Sequence, residues 1–285
     1  MRYIRSFLPV FATLLALASP TRSSAQFLEA GFMVGAANYR GDLADRLVPT
    51  EYQTSYGMTL RYNFSPKFSA RANLLTGFVS GADANNLYDA SIRERNLSFR
   101  SDFTELSVQA EYSPLGFDVL DGKVSSPYLF VGLGGFYFNP QAELNGVWYD
   151  LQPLGTEGQG QVPGSKKYNR FSATVPMGVG FRFCLGKRVN LGLEFGARRT
   201  FTDYLDDVSG QYPDVENLYE VNPLAARLSY RRPEVMGGGI SNPTDLRRGN
   251  PNTKDWYFIG GLTLSFNLTD KYGLEWNKKY RIYDK

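Results

Sequence analysis

Residues 55–64 read SYGMTLRYNF, and in this stretch large apolar side chains alternate with small or polar ones. A period of two places every second side chain on the same face of an extended strand, whereas an amphipathic helix needs a period of 3.6. Tyrosine, methionine, leucine and phenylalanine share one face here, and serine, glycine, threonine, arginine and asparagine share the other. The stretch therefore predicts a β-strand with one apolar and one polar face.

The same alternation recurs along the chain in eight runs, each about as long as a tilted membrane-spanning strand of ~9–11 residues. The runs cover residues 27–38, 54–64, 68–79, 103–113, 127–138, 170–184, 189–201 and 255–267. The fifth and eighth runs are apolar on both faces, so the sequence leaves open which of their side chains point inward.

The connections between these runs alternate in length. Short turns follow runs two and six, and an intermediate segment, residues 114–126, follows run four. Long segments follow the other runs, at residues 39–53, 80–102, 139–169 and 202–254. Short turns at one rim and long loops at the other are typical of outer-membrane barrels, in which an even strand number puts both termini on the periplasmic side.

A secreted β-sandwich is the alternative that also gives alternating strands, but its polar face meets bulk water. Here the polar face is mostly Gly, Ser, Thr and Asn, and the apolar face carries aromatic residues near the strand ends, which belong at membrane interfaces. These residues are Phe64, Phe68, Tyr112, Phe171, Phe183 and Trp256. We therefore predict an all-β fold: an eight-stranded antiparallel transmembrane outer-membrane β-barrel with short periplasmic turns and long extracellular loops.

The first 25 residues have the layout of a secretory signal peptide: Arg2 and Arg5, then an apolar stretch at 7–18, then a small-residue cleavage site that ends at Ala25. We predict a signal peptide at 1–25, a barrel at 26–267 and a periplasmic tail at 268–285, in the outer membrane of a Gram-negative-type bacterium. The 31 basic residues exceed the 28 acidic ones by the three arginines of the leader, so the mature chain is neutral and its charge predicts no nucleic-acid partner.

The polar face of the predicted strands carries four glutamates and four arginines. They are Glu29, Arg61, Arg71, Glu105, Glu111, Arg182, Glu194 and Arg198. An eight-stranded barrel is just wide enough for its own side chains to fill, and buried charges persist only when they are paired. We therefore predict a lumen closed by a network of glutamate–arginine pairs, with a small passive pore as the alternative.

The chain contains no histidine and one cysteine, Cys184, so Ser-His-Asp and Cys-His catalysis are excluded. The loops hold aspartates that could activate water: Asp42, Asp45, Asp203, Asp206 and Asp207. We interpret them as a solvated loop cap rather than as a hydrolase site, and we expect no enzymatic activity, no cofactor, no metal and no small-molecule substrate. Cys184 falls on the polar face near a strand end and is expected to be a small residue inside the barrel.

The fourth loop and the tail carry further signals. Residues 223–229 begin with Pro223 and continue with helix formers, which predicts a short helix. The tail interleaves aromatic and basic residues, of which we predict a partner-contact set: Trp276, Tyr280, Arg281 and Tyr283. The turn at 114–126 is the alternative contact surface on the same side.

Several motifs resemble one family. The Ala25-Gln26 processing site, YRGDL at 39–43, RTFTDYLDDVSGQY at 199–212 and NPLAA at 222–226 are similar to the small outer-membrane β-barrels that include PorG of the type IX secretion system. The most specific part is residues 203–212. It contributes a loop motif, Asp203, Tyr204, Asp206, Asp207 and Tyr212.

The resemblance implies a structural part of a type IX-like secretion apparatus, in contact with outer-membrane lipids and with a periplasmic ring of PorK and PorN type. It brings no catalytic residues. Docking through the tail is our own inference from its composition. An orphan barrel that stabilises the envelope is the alternative, because fold does not determine function.

Overall fold

The computed structural model describes residues 27–119, 122–161, 165–185, 188–243 and 247–268. The predicted signal peptide at 1–25 lies outside the described residues, and so does the contact set Trp276, Tyr280, Arg281 and Tyr283. Both therefore stay predictions.

Antiparallel β-strands make up most of the described chain. They are β1 (Phe27–Arg40), β2 (Gln53–Asn63), β3 (Phe68–Ala82), β4 (Ser98–Tyr112), β5 (Ser125–Leu144), β6 (Val147–Asp150), β7 (Phe171–Leu185), β8 (Val189–Thr200) and β9 (Trp256–Asn267). Each strand pairs with its sequence neighbour, except that β5 pairs with β7 past the short β6, and β9 closes the ring onto β1. The predicted fold class is confirmed: eight strands form a closed antiparallel barrel, and β6 is a short addition at one end.

The helices lie in the long loops. They are α1 (Ala90–Arg95), α2 (Leu151–Leu154), α3 (Val215–Val221), α4 (Pro223–Ser229) and α5 (Pro233–Met236), with 3-10 turns at Pro49–Glu51 and Asp83–Asn85. The predicted helix at 223–229 is confirmed as α4, where Pro223 takes the first helical position and the Asn222 side chain caps it by accepting from the Ala225 amide at 3.1 Å. Among the described helices, none combines the length and the hydrophobicity needed to cross a membrane.

Two predicted loops are shorter than expected. Strand β4 begins at Ser98 rather than at residue 103, and β5 continues to Leu144 rather than ending at residue 138. The extension of β5 folds back on β6 through Asn145 and Gly146, both of which have positive φ, at 54° and 80°. Asn-Gly is a strong signal for a two-residue hairpin turn, so this part of the predicted loop at 139–169 was wrong for a reason readable in the sequence.

The outer wall is an apolar band with aromatic residues at both ends. Its middle is exposed Leu, Val and Met, such as Leu106, Val108 and Leu193. Near the short turns lie Tyr62, Phe64, Phe68, Tyr112 and Phe183, and near the long loops lie Tyr56, Phe78, Tyr137, Phe171 and Phe201. An apolar wall between two aromatic belts is the exterior of an outer-membrane barrel, whereas a soluble sandwich buries such a face.

The barrel interior has two halves, and the pairing of β5 and β9 settles the facing that the sequence left open. Phe130, Phe136 and Phe138 of β5 and Tyr257 and Ile259 of β9 point inward and are buried. In the half near the long loops, all of these except Phe130 pack with other buried residues into an apolar plug. The half near the short turns holds the charged residues, described next.

Candidate functional site

All eight predicted charged residues point into the barrel interior, and each has 3% of its surface or less exposed. Strand register explains the main pairs, since Glu29 on β1 lies opposite Arg61 on β2, which lies opposite Arg71 on β3. Arg61 donates to Glu29 Oε2 at 2.7 Å and to Glu111 Oε2 at 2.8 Å. Arg61 therefore bridges two carboxylates.

Arg71 extends the network across the barrel. Its Nε lies 3.0 Å from Glu111 Oε1, and its Nη2 donates to Glu194 Oε1 at 2.9 Å, which joins β3 to β8 on the opposite wall. The Tyr128 hydroxyl donates to Glu194 Oε2 at 2.8 Å. These contacts fill the lumen from wall to wall with charge-assisted hydrogen bonds.

Arg182 closes the network on the side of the short turns. Its guanidinium carbon lies 4.1 Å from the centre of the Phe117 ring, which the segment between β4 and β5 folds into the barrel mouth. Its Nη2 donates to Ser113 Oγ at 3.1 Å, and its nearest carboxylate, Glu29, is 3.6 Å away. Cys184 is buried beside Phe117. Arg182 is thus held more by its ring and hydroxyl contacts than by a close ion pair.

Glu105 and Arg198 form a second, separate pair in the half near the long loops. Arg198 Nε lies 3.6 Å from Glu105 Oε2, and the Tyr257 hydroxyl donates to the same oxygen at 2.5 Å. The eight predicted residues therefore form a group of six and a group of two, each with equal numbers of acids and bases. Tyr128 and Tyr257, which complete these groups, were missed because they sit in the runs whose facing was ambiguous.

The loop aspartates do not form a solvated cap, and that prediction was wrong. Asp203, Asp206 and Asp207 are buried, and only Asp45 is exposed. Long loops fold over the barrel end and cover these carboxylates with their own side chains, a long-range effect that local turn chemistry does not reveal. We call the described residues of 41–52, 83–97, 151–170 and 201–255 the cap.

One pair of buried carboxylates in the cap meets a tyrosine of the barrel. The Tyr39 hydroxyl lies 2.5 Å from Asp206 Oδ2 and 3.1 Å from Asp255 Oδ1. Burial raises the pKa of both aspartates well above the ordinary value, and nearby carboxylates add to the shift, Asp255 at Asp206 and Asp203 at Asp255. Asp255 was missed by the sequence analysis because it was read as the first residue of the last strand.

Asp207 anchors a second cluster in the cap. The Tyr168 hydroxyl donates to Asp207 Oδ1 at 2.6 Å, and Arg248 Nη2 lies 3.4 Å from Oδ2. Burial raises the pKa of Asp207 to about 6, although Arg248 opposes the shift. Arg248 also binds Glu157 at 3.0 Å, so it ties the third long loop to the fourth.

The family-like loop motif is brought together as the inner part of the cap. Tyr204 stacks on Tyr168 with ring centres 4.4 Å apart, and Asp203 accepts from Ser209 Oγ at 2.7 Å. Tyr212 packs edge-on against Tyr230 at 5.6 Å. Together with Asp206 and Asp207, these residues make internal contacts, so the motif serves to fold the cap.

Gly41, the glycine of YRGDL, lies where a side chain does not fit. A Cβ there would come within 2.0 Å of the Tyr39 hydroxyl and 2.2 Å of Asp255 Oδ1. Glycine at this position lets the first loop turn directly over the hydrogen-bonded Tyr39, Asp206 and Asp255 group.

We expect Gly41→Ala to lower the free energy of unfolding by ~1–3 kcal/mol, because the methyl group must displace a buried, hydrogen-bonded side chain. Urea unfolding of the folded barrel measures this change. Gly122→Ala is the control, because space for a Cβ is open there, although its φ of +76° favours glycine and sets a small baseline cost. A Gly41→Ala protein no less stable than that control would contradict the tight approach.

Among the described residues, no group of three or more Asp, Glu or Cys side chains is arranged to hold a metal ion.

Residues 8–223 match the sequence profile of DUF6089, described as a domain of unknown function. The chain belongs to the DUF6089 family. The matched range takes in β1 to β8 of this DUF6089 barrel and the motif at 203–212. No curated protein matches the sequence.

Solved structures of small outer-membrane proteins are similar to this DUF6089 chain over most of their lengths. Neisserial surface protein A matches at 10% identity and a TM-score of 0.41, over 84% of this chain and 96% of its own. OprG from Pseudomonas aeruginosa matches at 12% identity and a TM-score of 0.40, over 86% of this chain and 97% of its own. Ail, the attachment invasion locus protein of Yersinia pestis, matches at 8% identity and a TM-score of 0.38, over 85% of this chain and 99% of its own.

Proposed function

We propose that the protein is a non-enzymatic, structural outer-membrane component of a type IX-like secretion apparatus, which associates with a periplasmic ring of PorK and PorN type. The observation that carries the structural role is the filled interior of the barrel. A protein built as an anchor needs a rigid wall and no passage of its own.

The interior is filled in successive layers. Phe117 and Arg182 occupy the mouth near the short turns, the glutamate–arginine network spans the middle, and the apolar plug around Phe136 and Tyr257 fills the other half. The cap then covers that end. Balanced, hydrogen-bonded charges of this kind fill a lumen, whereas a selective pore needs an open path lined by one sign of charge.

Burial of the cap carboxylates supports the absence of enzymatic activity. The rival hydrolase would use Asp42, Asp203, Asp206 and Asp207, and the last three have less than 5% of their surface exposed. Each of these three already accepts a hydrogen bond within the protein: Asp203 from Ser209, Asp206 from Tyr39 and Asp207 from Tyr168. A general base must reach its substrate, which these buried carboxylates do not.

Placement in the outer membrane is supported by the apolar wall and its two aromatic belts, with the cap on the extracellular side and the short turns in the periplasm. The secretion role is supported by the resemblance of residues 199–212 and 222–226 to the PorG family. The tail with Trp276, Tyr280, Arg281 and Tyr283 would meet the ring on the periplasmic side, and the turn at 114–126, where Leu115 is exposed, is the second candidate surface.

A crosslinked pull-down from membranes tests the role, with the full chain and with a chain that ends at Leu268. We expect the full chain to recover the ring lipoprotein and the shortened chain to lose it, because aromatic and arginine side chains commonly supply interface energy. Planar-bilayer recording of the purified protein is the accompanying control, in which we expect no steady conductance.

Recovery by both chains would move the contact from the tail to the turn at 114–126. Recovery by neither, with cargo still secreted by a deletion strain, would reject the secretion role and leave an orphan outer-membrane barrel. Steady single-channel steps would reject the closed lumen and favour a pore.

A further inference from the structure

A pocket lies on the outer wall of the barrel at the level of the aromatic belt near the cap. Strands β2 to β5 form it, and it encloses about 370 Å³, within the usual size range of a ligand site. Tyr56, Phe78 and Tyr137 supply three aromatic rings around it. This position, between the apolar wall and the cap, is where lipid headgroups meet an outer-membrane barrel.

The floor of the pocket is polar, which is unusual on a lipid-facing wall. Strand register lines up Thr76 with Thr104, and in the next row Asp102 with Asn139. The two threonine hydroxyls lie 3.3 Å apart, while Asp102 Oδ1 is buried and accepts no hydrogen bond from a described residue. A carboxylate oxygen in such a place raises the free energy of the protein unless a donor reaches it, so it points to a ligand with hydroxyl groups.

Two arginines flank the pocket. Arg100 lies over the Trp148 ring at 4.2 Å and over Phe78 at 5.3 Å. Arg170 lies over Tyr137 at 5.2 Å and donates to Asn139 Oδ1 at 2.8 Å. Neither guanidinium forms a salt bridge within the described chain, and Arg100 Nε is buried with no described hydrogen-bond partner. Both charges therefore remain available to an anion such as a phosphate.

Below the pocket the wall is apolar and open. Leu74, Leu106 and Leu133 are exposed on neighbouring strands, toward the middle of the apolar band. A ligand held in the pocket would lay an attached acyl chain along these leucines. Along the wall, from the cap toward the middle of the apolar band, the two arginines come first, the polar and aromatic pocket follows, and the apolar surface comes last.

We propose that this pocket binds the phosphorylated sugar headgroup of an outer-leaflet glycolipid. Arg100 and Arg170 would hold the phosphate, Asp102 and Asn139 would accept and donate to sugar hydroxyls, and the aromatic rings would pack on the sugar. Phosphatidic acid, an anionic phospholipid whose headgroup is the phosphate alone, fits less well, because it brings no sugar hydroxyls to Asp102 and no sugar ring to the aromatic side chains. The proposal rests on the outer-membrane placement above but is independent of the secretion role.

The experiment measures lipid binding by native mass spectrometry, on the purified full chain in a detergent without a sugar headgroup. The probes are bisphosphorylated lipid A and, for comparison, phosphatidic acid. We expect lipid A to bind more tightly, and the double variant Arg100→Gln/Arg170→Gln to weaken it at least about tenfold, because charge-assisted hydrogen bonds to the phosphate are lost. Asp102→Asn should weaken lipid A binding without weakening that of phosphatidic acid.

The matched control is Arg199→Gln, which removes an exposed arginine from the outer face of β8 near the same end of the barrel. Equal loss of binding in this control would show general charge attraction and overturn the site. Equal binding of both lipids to the unaltered protein would overturn the sugar specificity, and no binding of lipid A would overturn the proposal.

Heat-modifiable gel migration shows whether each variant still forms the barrel. If the arginine double variant does not, Asp102→Asn and Thr104→Val take its place, and unchanged lipid A binding in both would overturn the proposal. Because binding is read on purified protein, a negative ring pull-down leaves the lipid site standing, and a negative lipid experiment leaves the ring contact standing.

Discussion

Replacing Arg61 by methionine is expected to lower the free energy of unfolding by ~3–5 kcal/mol. Arg61 is buried and donates to two glutamates, Glu29 at 2.7 Å and Glu111 at 2.8 Å. Methionine fills much of the same volume but removes the cation that both carboxylates contact. The expected loss of stability is large because a buried charge without its partner is costly. Urea unfolding of the barrel in lipid vesicles, followed by tryptophan fluorescence, measures the change.

Two further variants separate charge from packing. Adding Glu29→Gln to Arg61→Met should recover part of the loss, because the amide keeps the shape of the side chain and removes one stranded charge. Arg182→Met should cost less than Arg61→Met, since the nearest carboxylate to Arg182 is 3.6 Å away and its closest contacts are a hydroxyl and a ring. Equal costs for the two arginines, or no recovery by Glu29→Gln, would show that packing alone governs this layer.

Raising the pH from about 4 to about 7 is expected to loosen the cap. The pKa of Asp207 is about 6 in the folded protein, above that of an unfolded aspartate, so between pH ~4 and ~6 the folded state holds a proton that the unfolded state has released. Stability therefore falls as the pH rises through this window, by at most ~3 kcal/mol for this fully buried group.

Other groups add to the same trend. Burial and the nearby Asp203 and Glu157 raise the pKa of Asp42 to about 6, with Arg95 opposing. Burial also raises the pKa values of Asp206 and Asp255 well above the ordinary value, so both aspartates add to the loss of stability as the pH rises. Hydrogen exchange of the cap in the intact protein, corrected for the intrinsic rate at each pH, reports the loosening.

Asp207→Asn is the matched variant for this pH effect. Asp207 has a φ of 66°, a left-handed conformation that asparagine also adopts readily, so the backbone tolerates the change. The amide oxygen still accepts from Tyr168, but the group no longer titrates. We expect a smaller pH dependence of cap exchange in this variant. The same dependence as in the unaltered protein would show that Asp207 does not contribute.

Features that depend on local periodicity and composition can be predicted from the sequence. The alternation at 55–64 predicts both the strand and its facing, because successive side chains of a strand must point to opposite sides. The balanced inward charges follow from the same alternation, since Glu29, Arg61 and Arg71 all occupy its polar positions. Helix α4 is local as well, because Asn222 and Pro223 satisfy and preset its first turn.

Which groups come into contact depends on the closed three-dimensional fold. Arg71 and Glu194 lie 123 residues apart in sequence, and closure of the ring is what brings β3 and β8 to face each other across the lumen. The runs of β5 and β9 are apolar on both faces, so only their register with neighbouring strands fixes which of their side chains point into the barrel. Asp206 and Asp255 are buried because distant loops fold over the barrel end, and the pocket beside Asp102 exists because four strands align. Contacts of this kind join residues far apart in the sequence, and they form only when the strands close into a ring and the loops pack over its end. A local pattern of residues does not encode them.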